Sequence, residues 1–228
     1  METTRREFVE RLTGGMIAAA GMPLIMDTPI AALQASVQPA AAAEEWDLSW
    51  TTRVMGKHKA VFDVPAIESG YGVWRTGIVK KQYMSVLKAA ANEVTMVLVL
   101  RHDAIHMVMQ QSYWDAFGIG KEKGVKHPAT EQPTDKNPAL LSAANGGLPA
   151  QFDGLALEQF MAGGGIVLAC NLAFAEVVGA YQKRDKSDEA AARKVALAAM
   201  VPGVIMQPSG VFAAMRAQQL GCVYVRAT

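Results

Sequence analysis

The stretch Val94-Thr-Met-Val-Leu-Val-Leu100 decides the fold of this chain. It is apolar at every position except Thr95, and its apolar residues follow neither a helical nor an alternating period. A short run of this kind, bounded by segments with helical spacing, is typical of a strand that is covered on both faces. Strands of that type belong to parallel sheets, so the sequence predicts an α/β fold around this strand.

Segments on both sides of this strand continue the alternation of strands and helices. Upstream, residues 58–64 predict a first strand and residues 77–93 an amphipathic helix with apolar residues three and four apart. These elements and the later ones predict a three-layer, doubly wound, mostly parallel sheet of five strands with a flavodoxin-like topology. Right-handed crossovers bring the strand-to-helix turns to one edge of such a sheet, where ligands bind. The later strands are predicted at residues 165–169, 203–207 and 222–225, and the later helices at residues 155–162, 172–182, 190–200 and 210–220.

Composition and charge limit the kind of protein. The 228 residues are 51% apolar, which suits one hydrophobic core, and 22 basic against 21 acidic residues leave a net charge of +1. The basic residues are scattered along the chain, so nucleic acid is not expected as a partner. Residues 118–150 are rich in Gly, Pro, Lys and Asn and have no apolar period. They predict an irregular insertion that serves as a lid, a subunit contact or a flexible segment.

The N-terminus has the composition of an export signal. The stretch Thr4-Arg5-Arg6-Glu7-Phe8 is followed by an apolar run over residues 12–33 and by small residues up to Ala43. Paired arginines with a phenylalanine two positions later resemble a twin-arginine (Tat) signal. We therefore predict that residues 1–43 direct export through the twin-arginine translocase and that the domain at residues 44–228 is periplasmic or extracytoplasmic. An amphipathic N-terminal helix of the domain is the alternative.

Polar side chains follow the predicted strands at the edge where a ligand would bind. Cys170 stands between a buried strand and a helix, where free N–H groups and the helix dipole favour a thiolate, the form that acts as a nucleophile or sulfur carrier. The alternative for Cys170 is a small buried apolar side chain. Ser209 and Gly210 open a helix and either bind an anion through backbone N–H groups or cap that helix. The complete set is Asp63, His102 with Asp103, Cys170 with Asn171, and Ser209 with Gly210.

Two further arrangements involve histidine and the second cysteine. His102 and His106 are four residues apart, a spacing that places two metal ligands on one face of an α-helix. Cys222 begins a predicted strand whereas Cys170 ends one, so in a parallel sheet the two lie at opposite edges. We therefore predict two free thiols, with Cys222 buried. The chain has no dinucleotide-binding glycine motif and no phosphate loop, and no cofactor is predicted.

Three stretches of the chain follow a pattern that is found in a known family. They are Gly164-Gly-Ile-Val-Leu-Ala-Cys170-Asn-Leu-Ala, Pro202-Gly-Val-Ile-Met-Gln-Pro-Ser209-Gly-Val211 and Gln218-Gln-Leu-Gly-Cys-Val-Tyr-Val225. They resemble the DsrE/DsrF-like family of small sulfur-relay proteins. A weaker likeness covers residues 57–64 and 97–105, where Val-Leu-Arg-His102 stands for a strand that ends in His-Gly, with Asp103 in place of the glycine. The resemblance implies a doubly wound α/β fold, trimers or other homo-oligomers, and a cysteine that carries sulfane sulfur as a persulfide, which by position is Cys170.

The function expected from this resemblance is that of an exported sulfur-relay carrier. Cys170 holds the sulfur in this interpretation, and its partners are a sulfur donor or acceptor protein and further copies of the chain. The binding residues around it are His102, Asn171, Ser209 and Gly210. The alternative is a non-enzymatic periplasmic binding or assembly module, with Cys170 in the core and a metal bound through His102 and His106.

Overall fold

The structure is a computed structural model that describes residues 46–227. The predicted export signal, with Arg5 and Arg6, lies outside the described residues. Within the described part of the chain, every helix is too short or too polar to cross a membrane.

Five parallel strands form a single sheet, in the spatial order β4-β3-β2-β1-β5. This arrangement confirms the predicted three-layer α/β fold with a doubly wound sheet. The first two strands have the bounds that the sequence predicts, and the other predicted elements downstream differ at their ends by no more than three residues. The strands are β1 (His58–Val64), β2 (Val94–Leu100), β3 (Ile166–Cys170), β4 (Ile205–Gln207) and β5 (Val223–Arg226).

Eight α-helices connect these strands within the described residues. They are α1 (Tyr71–Val86), α2 (Gln111–Phe117), α3 (Ile119–Glu122), α4 (Ala143–Gly146), α5 (Leu157–Ala162), α6 (Asn171–Asp185), α7 (Glu189–Ala198) and α8 (Gly210–Gln219). Short 3-10 segments lie at Ser49–Arg53, Glu68–Gly70, Ala91–Glu93, His102–Val108, Pro138–Leu140 and Ala150–Phe152.

The order of the strands decides which face of the sheet each helix covers. From β1 to β4 the chain moves in one direction across the sheet, so right-handed crossovers place α1, α6 and α7 on the same face. Their residues pack there with Leu98 and Leu100. The step from β4 to β5 runs in the opposite direction, and α8 packs on the other face against Val97 and Val99. The chain therefore leaves β3 and β4 towards opposite faces, which opens a switch point between their carboxyl ends.

The helix predicted at residues 77–93 is placed wrongly, because α1 spans Tyr71–Val86. The sequence misses its start since three glycines, which are poor helix formers, lie near it. Gly72 is required by packing: a Cβ atom there would lie 2.6 Å from Cγ1 of Val64, so a glycine lets the helix approach β1 closely. The predicted end is also too late, because the chain leaves the helix at Leu87 and adopts a positive φ at Lys88.

The segment at residues 118–150 is packed against the domain. It contains α3, α4 and a 3-10 turn, and it contributes Val125, Ala139 and Leu141 to the core beneath α1 and α6. Asn137 is fully buried and its amide donates to the backbone oxygens of Met107 and Met109, at 3.1 and 2.7 Å. Apart from these short elements the backbone of the insertion is irregular, and its few buried residues hold it against the core.

Candidate functional site

Cys170 lies at the switch point between β3 and β4. It is the last residue of β3 and the N-cap of α6, a helix of 15 residues, and its side chain is buried with 6% exposure. Across the sheet it pairs with Gln207, the last residue of β4. No side chain of the described residues caps the first turn of α6. Because the first N–H groups of a helix have no partner within it, this end of α6 is open to an anionic group.

The beginning of α8 is capped by its own sequence. Ser209 accepts a hydrogen bond from the backbone N–H of Phe212 at 3.0 Å, so the hydroxyl of Ser209 performs the capping role that was one of its two expected roles. Gly210 follows as the first residue of the helix. A Cβ atom at Gly210 would lie 2.7 Å from Cδ of Arg101, so the arginine side chain crosses closely over this turn.

Three side chains at the same edge of the sheet form a charged cluster. Arg101 makes a bidentate ion pair with Asp63, with Nε–Oδ1 at 2.6 Å and Nη2–Oδ2 at 2.8 Å. The hydroxyl of Tyr224 donates to Oδ2 of Asp63 at 2.6 Å. Alternation along β1, β2 and β3 places Asp63, Arg101 and Cys170 on the α8 face of the sheet. The cluster therefore lies on the same side of the sheet as the thiol.

The charges in this cluster are held by hydrogen bonds. The bond to Asp63 raises the pKa of Arg101 above its usual value, and Cys170 is close enough to contribute to that shift electrostatically. Burial alone would raise the pKa of Asp63, but the hydrogen bonds from Arg101 and Tyr224 outweigh it and lower the pKa. Arg101 thus presents a permanent positive charge beside Cys170, held by a buried carboxylate.

Two amide oxygens beside Cys170 have no hydrogen-bond donor. Oδ1 of Asn171 and Oε1 of Gln207 are buried and unpartnered. The amide nitrogen of Gln207 donates to the backbone oxygens of Asp47 and Met206, both at 2.8 Å, so the acceptor end of that side chain is the free one. Buried acceptors normally have a donor, and a bound group with an S–H or N–H would supply it.

The structure brings together most, but not all, of the residues that the sequence suggests. Cys170, Asn171, Ser209 and Gly210 meet at one edge. His102 does not join them: it is exposed, its φ is 48°, and among the described residues its side chain makes no hydrogen bond, ion pair or ring contact. The sequence prediction did not include three residues of this edge, Arg101, Tyr224 and Gln207. Two of them could have been found from their positions, since Arg101 directly follows β2 and Gln207 ends β4.

The two cysteines are free, as predicted. Cys222 precedes β5 at the amino edge of the sheet, whereas Cys170 ends β3 at the carboxyl edge. Cys222 is buried, and burial raises the pKa of its thiol, which disfavours the reactive thiolate.

A second cluster of polar side chains surrounds His106, on the face of the sheet that α6 covers. His106 is buried in the 3-10 segment His102–Val108, with Nδ1 3.0 Å from the hydroxyl of Tyr113 and Nε2 3.3 Å from Oε1 of Glu176. Nζ of Lys123 donates to Oε1 of Glu176 and to Oδ1 of Asp103, both at 2.9 Å. The hydrogen bond from His106, with a further one from Lys123, lowers the pKa of Glu176 to about 2.

This geometry separates His102 from His106. Positions four residues apart share a face in an α-helix, but a 3-10 helix has three residues per turn, so the two side chains point in different directions. His106 lies instead beside Asp103 and Glu176. A ring nitrogen of the histidine and one carboxylate oxygen from each acidic residue all lie within 4.8 Å of one another.

Comparisons of the chain with protein-family models, with curated proteins and with solved structures found no match.

Proposed function

We propose that the protein is an exported sulfur-relay carrier that binds sulfane sulfur as a persulfide on Cys170. One observation carries the proposal: the thiol lies at the uncapped N-terminus of α6, at the switch point of the sheet, beside the fixed charge of Arg101. Both features stabilise an anionic sulfur atom. The motifs that resemble the DsrE/DsrF-like family support the same assignment for Cys170.

The chemistry of loading and release is an exchange between sulfur atoms. The Cys170 thiolate attacks the outer sulfur of a donor persulfide, an S–S bond forms at Cys170, and the donor leaves as a thiolate. With thiosulfate as donor, the leaving group is sulfite. An acceptor thiolate then attacks the outer sulfur on Cys170, and Cys170 leaves as the thiolate. Each transfer breaks one bond to sulfur and forms another, so no external oxidant is required.

Arg101 acts in this proposal as the group that binds the anionic sulfur. Its Nε and Nη2 atoms are occupied by Asp63, which fixes the plane of the guanidinium. Asn171 and Gln207 add acceptors for the proton of a neutral thiol or persulfide. Gly210 leaves the space through which the arginine side chain passes.

The cellular setting belongs to the same proposal. The Tat-like N-terminus supports export by the twin-arginine translocase and a periplasmic or extracytoplasmic site of action, where a donor or acceptor protein exchanges sulfur with Cys170. The family resemblance supports a homo-oligomer such as a trimer. Exposed apolar side chains on α8 and β5, Val211, Met215 and Val223, support a self-contact on that side of the domain.

The decisive experiment is the intact mass of the folded protein before and after incubation with polysulfide or thiosulfate, and again after reduction. We expect a reducible gain of one or more sulfur atoms in the wild type and in Cys222→Ala, and no gain in Cys170→Ala. Retention of the gain in Cys170→Ala, or its absence from the wild type, would contradict the proposal.

Burial of Cys170 favours one second candidate, a non-enzymatic binding or assembly module in which this residue is part of the core. The two functions differ in thiol accessibility. A carrier requires Cys170 to react with a small alkylating reagent in the folded protein, with Cys222 as the internal control that reacts only after unfolding. Equal protection of both thiols would favour the module.

A further inference from the structure

We propose that Asp103, His106 and Glu176 form a second site, separate from Cys170, that binds a divalent transition-metal ion in place of the Lys123 ammonium. The three residues come from two elements, the 3-10 segment His102–Val108 and α6. Their imidazole nitrogen and carboxylate oxygens lie within 4.8 Å of one another. One histidine and two carboxylates are a common ligand set for such metals, zinc included.

Lys123 marks the place that a cation occupies. Its Nζ lies 2.9 Å from a carboxylate oxygen of both Asp103 and Glu176, and it stands just after the short helix α3. A single ammonium leaves one of the two carboxylate charges uncompensated, whereas a dication balances both and also accepts the lone pair of a histidine nitrogen. The lysine stem is long and flexible, so the ammonium can swing aside when an ion enters.

His106 is held in the orientation that a metal ligand needs. Nδ1 is paired with the hydroxyl of Tyr113, and the two rings stack at a centroid distance of 5.9 Å with an interplanar angle of 13°. The indole N–H of Trp114 donates to the backbone oxygen of His106 at 2.8 Å. These contacts leave Nε2 directed at Glu176. In the metal-bound form the ring proton is on Nδ1 and is donated to the hydroxyl of Tyr113, which leaves the lone pair of Nε2 for the ion; such an outer-shell partner is the usual companion of a ligating histidine.

A cavity beside the site leaves room for a further ligand on the ion. It has a volume of about 480 Å³ and is lined by His106, Tyr113, Phe117, Glu176 and Arg184, among others. Three protein ligands with one open position are typical of zinc sites that bind water or substrate. Metal–ligand distances of about 2 Å require the carboxylates to move inward by roughly 1 Å. The side chains of Asp103 and Glu176 are 60% and 49% exposed and have the freedom to do so.

The test measures binding of Zn²⁺ by calorimetry and of Co²⁺ by its visible absorption, on the whole protein. We expect one equivalent in the wild type and loss of that equivalent in Asp103→Asn and Glu176→Gln, two exposed positions whose substitution leaves the core intact. Lys123→Met is expected to bind the metal about tenfold more tightly. This factor corresponds to an ammonium that occupies the site roughly nine-tenths of the time and must leave before the ion binds. Lys121→Met, on the short helix that Lys123 follows, is the matched control with unchanged affinity.

Cys170→Ala separates this site from the sulfur chemistry. We expect it to bind the metal like the wild type, because Cys170 lies on the other face of the sheet. Absence of binding in the wild type, including the case in which only Lys123→Met binds, would overturn the proposal. Binding that survives both carboxylate substitutions but is lost in Cys170→Ala would also overturn it.

Discussion

Arg101 contacts three parts of the molecule that are far apart in the chain. Its guanidinium holds Asp63 of β1, its aliphatic stem crosses Gly210 of α8, and Cys170 of β3 lies close enough to interact with its charge. A lysine could supply the charge but not the bidentate pair that fixes its direction. The position of the charge beside the thiol therefore depends on the shape of the arginine as well as on its sign.

Substitution of Arg101 tests its proposed role in sulfur loading. In Arg101→Gln we expect the rate of persulfide formation from anionic polysulfide to fall about tenfold, because the attraction between a fixed cation and an anionic donor is lost. Arg101→Lys should be intermediate. The rate with the neutral reagent iodoacetamide should fall less than the rate with polysulfide. Equal losses with both reagents would indicate that Arg101 does not bind the donor.

Asp63→Asn tests the carboxylate that holds this charge. It leaves the partly buried arginine without its counter-ion, and we expect the free energy of unfolding to fall by on the order of 3 kcal/mol in urea titration at neutral pH. Tyr224→Phe is the milder comparison, with a loss of about 1 kcal/mol for a single hydrogen bond. A loss below that of Tyr224→Phe would refute the account of the ion pair.

Asp63 also determines how the free energy of unfolding depends on pH. The pKa of Asp63 is lower in the folded protein than its usual value of 3.8. The folded state therefore binds fewer protons there than the unfolded state, so the stabilisation is present above pH 3.8 and is lost as the pH falls through the lower folded pKa. Unfolding curves should show a smaller acid-induced loss of stability in Asp63→Asn than in the wild type, and the loss that remains comes from other carboxylates of lowered pKa such as Glu176.

At the scale of elements, the packed segment at residues 118–150 depends on Asn137. Its buried amide satisfies two backbone oxygens of the chain around Met107–Met109, and its own oxygen caps the following turn. Asn137→Ala removes these bonds and leaves buried acceptors unpaired, at a cost of about 2–3 kcal/mol in unfolding free energy. Gln132→Ala, exposed in the same segment, should change it by less than about 0.5 kcal/mol. A loss of unfolding free energy in Asn137→Ala as small as that in Gln132→Ala would show that the hydrogen bonds of Asn137 do not stabilise the domain.

The sequence predicts elements well where one signal dominates. β1 and β2 are apolar runs with no competing pattern, and their bounds are correct. The predicted position of α1 is displaced because Gly72 serves helix–sheet packing, and because the exposed apolar residues Val86 and Leu87 at its end mimic a buried face. Segment 118–150 lacks a period because its buried residues pack one at a time from short turns.

The candidate site is predictable to the same extent. Cys170, Asn171, Ser209 and Gly210 converge because parallel strands end at one edge, which is a property of the topology. The His106 group could not be foreseen, since His106 and Glu176 are 70 residues apart and meet only through packing. Tyr224 is even further along the chain from its partner, being 161 residues from Asp63.

At the scale of the whole molecule, the two faces of the sheet are covered unequally. α8 and the segment around Trp50 are the described elements over the second face, and Val211 and Met215 on the outer side of α8 remain largely exposed. The edge strand β5 adds Val223, which is 68% exposed. Unpaired edges and apolar patches of this kind mark surfaces where chains associate.

This surface predicts the behaviour of the protein in solution. We expect the wild type to sediment as a homo-oligomer and the double variant Met215→Glu with Val223→Lys to sediment as a monomer of unchanged thermal stability, since both side chains are exposed in the single chain. Val195→Lys, on the exposed side of α7 over the other face, is the control and should remain oligomeric. A monomeric wild type would refute the prediction.

The hydrogen bond between Tyr224 and Asp63 also determines when the charge cluster around Asp63 is completed during synthesis. β1 leaves the ribosome first among the described strands and β5 last, and the 161 residues between the two partners make this one of the longest loops that the fold must close. Long-range pairing of this type forms late in folding. Until the last strand docks, Asp63 lacks its second donor, so a nascent chain with β1–β4 in place contains the thiol but not the complete charge cluster.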